Sequence, residues 1–192
     1  ISNMKIFDEI KESLLNLFES EFGTYSTSSN WLEYRLGSTK THCIICFMRN
    51  FKVYPFDEQP NIPEHPNCAC SLSPLRKILV GQATKQGSNG ADYSLYYYKT
   101  LPSCYITKSQ AIQMGWKPIK GNLDTVAKGK MIGGDIFKNR ENKLPSAPNR
   151  IWYECDIDYN GGYRNNTRLI YSNDGLIFKT DDHYTRYIVV EL

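Results

Sequence analysis

The alternation of apolar and polar positions divides the chain into two stretches of different texture. Over residues 3–22, Phe7, Ile10, Leu14, Phe18 and Phe22 recur at three- and four-residue spacing with Lys, Asp and Glu between them. That period predicts an amphipathic helix, which Ser2 or Asn3 can cap and Gly23 can end. Residues 24–30 (TYSTSSN) read as a polar loop, and 31–36 (WLEYRL) and 51–54 (FKVY) as short strands. Residues 55–67 carry four prolines and no clear period, which predicts a loop. The small polar stretch 83–91 (ATKQGSNGA) has the composition of a linker. Beyond it the texture changes. Helices are expected over 91–100, 107–115 and, in short form, 121–127. Strands are expected near 132–137, 151–157, 168–172, 175–179 and 186–190, separated by Gly, Asn and Asp turns. Helices followed by strands point to an α+β fold with the helices packed on an antiparallel sheet. The expected organisation is an N-terminal module over 1–82, a linker over 83–90 and a second domain over 91–192, with no internal repeat.

Composition adds bounds. The 192 residues are 41% hydrophobic and 13% aromatic, enough for a buried core, and 14 of them are tyrosine, which pairs apolar area with a polar tip. The net charge of +3 is unevenly spread: residues 1–90 hold nine basic and nine acidic residues, residues 91–192 fourteen and eleven. The basic surplus lies in the C-terminal half, which permits an anionic partner without requiring one. No apolar run approaches a membrane span, and no signal peptide is visible. The chain opens on Ile1, which we read as a piece of a longer protein.

The cysteines cluster. Cys43, Cys46, Cys68 and Cys70 fall within 28 residues, with His65 among them and His42 adjoining, while Cys104 and Cys155 stand apart. A Cys-x-x-Cys pair followed by a second Cys/His group has the spacing of a tetrahedral ion site. Cys43, Cys46, Cys68 and Cys70 form the first ligand set, His65 the leading substitute and His42 a weaker one. Zinc suits such a sulfur-rich, closed site, and its role would be structural. Disulfides or free thiols are the alternative reading of the same spacing.

The C-terminal half carries different chemistry. Alternation along Ile151–Ile157 places Trp152, Glu154 and Asp156 on one strand face. Arg164 and Arg168 follow a Gly161-Gly162 turn, and His183 lies in a polar turn after a later strand. A carboxylate and an imidazole can divide the two proton transfers of phosphodiester cleavage, and fixed Arg and Lys charge can stabilise the phosphoryl oxygens. Singly, each residue also has an ordinary explanation as a salt-bridged or surface side chain.

The words YITKS, GW, KGNL, GGDIF, NRE, KLP and KTxDHY occur in this order between Tyr105 and Tyr184. In them the chain resembles the barnase-like family of guanyl-preferring bacterial ribonucleases, over about a hundred residues. The resemblance implies a metal-independent endoribonuclease that cleaves single-stranded RNA after guanosine through a 2′,3′-cyclic phosphate. It implies Glu154 as general base, His183 as general acid, and Lys108, Arg164 and Arg168 as the charge that holds the scissile phosphate, with Tyr184 lining the pocket. It places Phe137, Lys138, Asn139, Arg140 and Glu141 in a guanine-binding loop, where the amides of Asn139 and Arg140 meet the base oxygen and Glu141 its N–H groups. It further implies that Asp156 orients the arginines, that Arg150 pairs with Asp174, and that Trp116 and Trp152 are core aromatics. The chain departs from the family at Lys138 and Asn142, where smaller residues are usual, at Cys104 and Cys155, and at Gly175, which stands in place of a tryptophan expected beside the histidine.

Residues 31–75, with Cys-x-x-Cys, VYPFDE and HPNCAC, resemble the end of phage Mu F-like head-morphogenesis proteins. Such modules occur fused to toxin domains. The combined resemblance implies a toxin that is secreted or delivered from the producing cell, or phage-associated, and acts in the cytoplasm of a target cell. RNA is then the substrate, and a barstar-like acidic immunity protein the expected inhibitor. An inactive phage structural module and a plain digestive ribonuclease are the competing readings.

Overall fold

The structure, a computed structural model, describes residues 25–26, 29–39 and 41–192. The helix expected over 3–22 lies outside these residues. The described chain contains eleven strands: β1 (Tyr25–Ser26), β2 (Trp31–Arg35), β3 (Val53–Pro55), β4 (Ser71–Pro74), β5 (Lys77–Leu79), β6 (Tyr105–Ile106), β7 (Met131–Ile136), β8 (Trp152–Asp156), β9 (Arg168–Ser172), β10 (Ile177–Thr180) and β11 (Ile188–Glu191). Its four α-helices are α1 (Ile44–Arg49), α2 (Ala91–Tyr98), α3 (Lys108–Gln113) and α4 (Leu123–Val126). Strands β7 to β11 lie within two residues of the positions that alternation predicts, whereas β6 falls where no strand is expected.

Two sheets form. The larger has eight strands in the order β1-β5-β11-β10-β9-β8-β7-β6, the smaller three in the order β3-β2-β4. Strands β7 to β11 are an antiparallel meander. The sheet is not antiparallel throughout: β6 pairs parallel to β7, and β5 parallel to β11. Both exceptions flank the meander, one on each side, and are strands too short to show a period of their own. Likewise Tyr25 and Ser26, expected in a loop, pair with Ile78 and Lys77.

The meander is apolar on both faces, and its strands alternate between two cores. Cys155, Leu169, Ile177, Ile188 and Val190 face α2, where Ala91 and Leu95 meet them. Trp152, Ile170, Phe178 and Val189 face the other way, against Leu144, Val53 and Leu75. The second core therefore mixes both halves of the chain, with Trp31 packing edge-on to Phe178 at 5.3 Å between centroids. A third cluster, Ala111, Trp116, Leu123, Ala127 and Ile132, holds α3 and α4 against β7.

The stretch expected to link the halves is anchored. Asp92, fully buried on α2, accepts hydrogen bonds from the amides of Gly81 (2.6 Å) and Ala83 (3.1 Å) and from the Thr84 hydroxyl (3.1 Å). The Lys85 amide donates to Asp158 at 2.9 Å. Buried polar groups have to be paired, and here the pairing fixes the path of the chain between β5 and α2.

Candidate active site

The site starts on β8. Glu154 shares the face of Trp152, at the end of the sheet away from α2, and only 6% of it is exposed. A bulge in the neighbouring strand shapes its surroundings. Gly133 pairs with Cys155 and Asp135 with Glu154, which leaves Gly134 as an extra residue at φ +90°. Glycine suits this conformation because a Cβ would be strained there. The shift brings the Asp135 carboxylate to the N-terminus of α3, where it accepts from the Lys108 amide at 2.9 Å. Thr107 caps the same helix in a reciprocal box with Gln110. Lys108, on the first turn, is thereby aimed at Glu154 and forms an ion pair with it.

Glu154 has a second partner: the Tyr184 hydroxyl donates to its other oxygen at 2.5 Å. Burial pushes the Glu154 carboxyl up, but the hydrogen bonds from Lys108 and Tyr184 and the charges of Lys108 and Arg164 outweigh it and hold the group below the usual glutamate value. Glu154 is therefore a carboxylate at neutral pH. Burial and the same carboxylate raise the Tyr184 phenol, which stays protonated and remains a donor.

Asp156, two residues along β8 and 1% exposed, organises the cations. Arg164 donates to it through Nε and Nη2, both at 2.6 Å, in a bidentate fork. Arg168 Nε lies 2.9 Å from Asp156 Oδ1, an ionic contact without an aligned hydrogen bond. The Arg168 Nη1 donates to Asn165 Oδ1 (3.0 Å) and the Thr167 carbonyl (2.7 Å). Burial disfavours the Arg164 charge, yet Asp156 and Glu154 more than compensate and raise its pKa.

His183 enters from the turn after β10. It and Tyr184 both adopt positive φ, 54° and 72°, a conformation that side chains with a Cβ adopt only where surroundings enforce it. Asp182 supplies that enforcement: its Oδ1 accepts from the Thr180 hydroxyl and the amides of Thr185 and Arg186 at 2.9–3.0 Å. The His183 ring is exposed and lies 4.6 Å from the Tyr184 ring, which rests in turn on Phe137 at 5.1 Å.

These groups open onto one cavity of about 510 Å³, lined by Lys108, Glu154, Arg164, His183 and Tyr184 on one side and by residues 136–141 on the other. Thus Phe137, Lys138, Asn139, Arg140 and Glu141 border the same space as the charged groups. The loop is closed internally, since Asn139 Nδ2 donates to the Leu144 carbonyl (2.8 Å) and the Leu144 amide donates back to Asn139 Oδ1 (3.2 Å). Arg168 stands one layer below, 3% exposed behind Asp156. Cys43, Cys46, His65, Cys68 and Cys70 gather elsewhere, beside the three-stranded sheet.

Two lining residues escaped the sequence reading. Lys143 pairs with Glu141 (2.7 Å) and donates to the carbonyls of Tyr184 and Thr185 (both 3.2 Å), tying the 136–145 loop to the His183 turn. Tyr187 is buried at the cavity floor. Lys143 carried a faint signal, being within the KLP word; Tyr187 carried none, because its role depends on where the turn before β11 folds back. One expectation is corrected. Gly175, at φ +101° in the turn between β9 and β10, borders a separate depression with Lys99 and Tyr171, and not His183. The missing tryptophan therefore leaves the surroundings of the end of α2, where Lys99 is the C-cap, and not those of the histidine. Two structural expectations of the resemblance are met. Arg150 pairs with Asp174 at 2.8 Å, and Trp116, Trp152 and Cys155 are buried.

A carboxylate, an imidazole and a clamped guanidinium line one cavity on an α+β fold, a set that can do acid–base chemistry on an anionic substrate. The family model for ribonuclease matches residues 88–191, and the chain belongs to that family of RNA-cleaving enzymes. Relatives described as ribonucleases from Heyndrickxia coagulans, Bacillus intermedius and Bacillus pumilus are each 60% identical over 97 residues, half of this chain. That match spans 88% of the Heyndrickxia protein and 59% of each of the other two. In the described residues no helix is long and apolar enough to cross a membrane.

Proposed function

We propose that the chain is a metal-independent endoribonuclease that cleaves single-stranded RNA after guanosine. The observation that carries this reading is the convergence of Glu154, His183, Lys108 and Arg164 on the cavity that the 136–141 loop also borders. Glu154, already ionised, takes the proton of the 2′-hydroxyl. The 2′-oxygen attacks phosphorus, and the 5′-oxygen leaves with a proton from His183. The products are a 2′,3′-cyclic phosphate and a free 5′-hydroxyl, and water opens the ring in a second step with the two roles exchanged. The phosphate draws the Lys108 ammonium away from Glu154 and frees that oxygen to act as base. Arg164, held by Asp156, meets the charge that grows on the phosphoryl oxygens, with Arg168 reinforcing the field from beneath. Proton transfer by a positioned group contributes about 10²–10⁴-fold.

Base choice falls to the loop. Guanine presents two adjacent N–H donors, which a carboxylate such as Glu141 can accept together, and a carbonyl oxygen that the amides of Asn139 and Arg140 can meet. Adenine's edge lacks that donor pair. Lys138 and Arg140 add positive charge next to the phosphate path.

The cysteine-rich half, which resembles a phage head-morphogenesis segment, favours a toxin delivered from the producing cell over a digestive enzyme. Such a toxin requires an inhibitor at home. The cationic cavity suits an acidic, barstar-like protein whose carboxylates would be steered to Lys108, Arg140 and Arg164. The test is cleavage of a defined RNA in EDTA with both product ends mapped. We expect cuts 3′ to guanosine with cyclic phosphate ends, and loss of most activity in Glu154→Gln and His183→Ala. Unchanged cleavage by His183→Ala, or dependence on added metal, would refute the mechanism.

A further inference from the structure

We propose that Cys43, Cys46, His65 and Cys68 hold a single zinc ion that fastens the N-terminal half. Two triads of donor atoms, Cys43–Cys46–His65 and Cys46–Cys68–Cys70, each lie within 4.8 Å of one another and share Cys46. Two of the spacings match edges of a coordination shell. With Zn–S near 2.3 Å and Zn–N near 2.0–2.1 Å, a tetrahedron has S···S edges of about 3.8 Å and S···N edges of about 3.5 Å. Cys46 Sγ lies 3.8 Å from Cys68 Sγ and 3.3 Å from His65 Nε2. A disulfide would need about 2.05 Å, and all six cysteines are free.

Local structure prepares the donors for a cation. Cys43 caps α1, and its sulfur accepts from the Cys46 amide at 3.4 Å, while the buried Cys46 sulfur accepts from the Tyr34 hydroxyl at 3.3 Å. His65 Nδ1 lies 2.9 Å from the Pro66 carbonyl. A carbonyl only accepts, so Nδ1 carries the proton and Nε2 is left to face Cys46. That is the outer-shell arrangement of a metal-binding histidine, and it selects His65 over Cys70 for the fourth position. Cys70 then lies on the buried side, in the small cluster with Tyr34 and Cys46.

The fold needs such a fastening. The strands of the smaller sheet are five, three and four residues long, and its buried cluster consists of one tyrosine and two cysteines with partly buried neighbours. The sheet also packs into the second core through Trp31 and Val53, but a cluster of that size on the cysteine side rarely sustains its own structure without a staple. The sheet nevertheless has to hold position, because the Val53 amide of β3 donates at 2.7 Å to the carbonyl of Lys143 at the end of the substrate loop.

The full chain, purified reduced, should carry one zinc per molecule by native mass spectrometry and elemental analysis. Cys43, Cys46 and Cys68 should resist alkylation until a chelator is added. Cobalt(II) should replace zinc and show thiolate-to-metal absorption. Cys43→Ser, Cys68→Ser and His65→Ala should each weaken zinc binding by more than the roughly 10–100-fold typical of an outer-shell change, whereas Cys70→Ser should retain one equivalent. RNA cleavage by the variants reports that the C-terminal half is folded. Metal-free reduced protein whose clustered thiols all react without chelator, or a Cys46–Cys68 disulfide, overturns the site. Loss of metal in Cys70→Ser with retention in His65→Ala overturns the ligand assignment.

Discussion

Replacing Asp156 with Asn removes one negative charge from beneath two guanidinium groups. Asp156 is 1% exposed and Arg168 3%, so water cannot take over the lost interaction. Breaking a buried ion pair from one side costs about 3–5 kcal/mol, mainly because the remaining charge is left uncompensated. Asparagine keeps one carbonyl oxygen for Arg164, and Arg168 keeps its bonds to Asn165 and the Thr167 carbonyl. The low end, about 3 kcal/mol, therefore applies. For a chain of this length about 2–4 °C of melting temperature accompanies each kcal/mol, so Tm should fall by about 6–12 °C. Calorimetry and urea titration at neutral pH measure this directly. RNA cleavage, assayed well below the new Tm, should also decline, because Arg164 loses the fork that aims it into the cavity. A stability loss under about 1 kcal/mol with kinetics intact would refute the view that Asp156 is the keystone of the cationic cluster.

The acid limb of kcat/KM should lie below the ordinary glutamate range of about 4.3, since Glu154 is held down by Lys108, Tyr184 and Arg164. Lys108→Met should move that limb upward, and a wild-type limb near pH 6 would contradict the assignment. The same depressed pKa stabilises the folded state at pH values above the unfolded glutamate value, and the contribution disappears as pH falls through the folded one; urea midpoints across that window test it. Trp31→Ala should cost about 2 kcal/mol, less than the 3–5 of a fully buried tryptophan, because Trp31 is half-buried against Phe178. It should lower a single shared melting transition, and an unchanged melt would mean that the halves do not share a core.

The strands of the C-terminal half were legible because β8 to β11 alternate between two apolar environments, and Leu169/Ile170 and Ile177/Phe178 divide between the cores as period two requires. The two parallel strands that flank the meander were not, because β5 and β6 are three and two residues long and owe their conformation to a partner. Glu154 and Asp156 were placed on one face by alternation alone. Their joining to His183 depended on the Asp182-held turn, whose positive φ at two consecutive non-glycine residues no local preference announces. The anchoring of 83–91 was hidden for a similar reason: a small polar composition describes a tether and a tightly hydrogen-bonded crossing equally well, and only the buried Asp92 carboxylate distinguishes them.

The pairing of β5 with β11 has a consequence for how the chain behaves when cut. Residues 85, 86, 88 and 89 are exposed, so a protease can reach the crossing. A nick there would not liberate the C-terminal half. Lys77, Ile78 and Leu79 would stay in register with Val189, Val190 and Glu191, and Ile78 would stay in the core beneath α2. The product would be a two-chain enzyme held by fragment complementation, separable only by denaturant. Conversely, a chain beginning at α2 would bare β11 as an open strand edge, ready to recruit any extended segment, including that of another copy. The N-terminal half thus acts as an edge guard for the catalytic sheet.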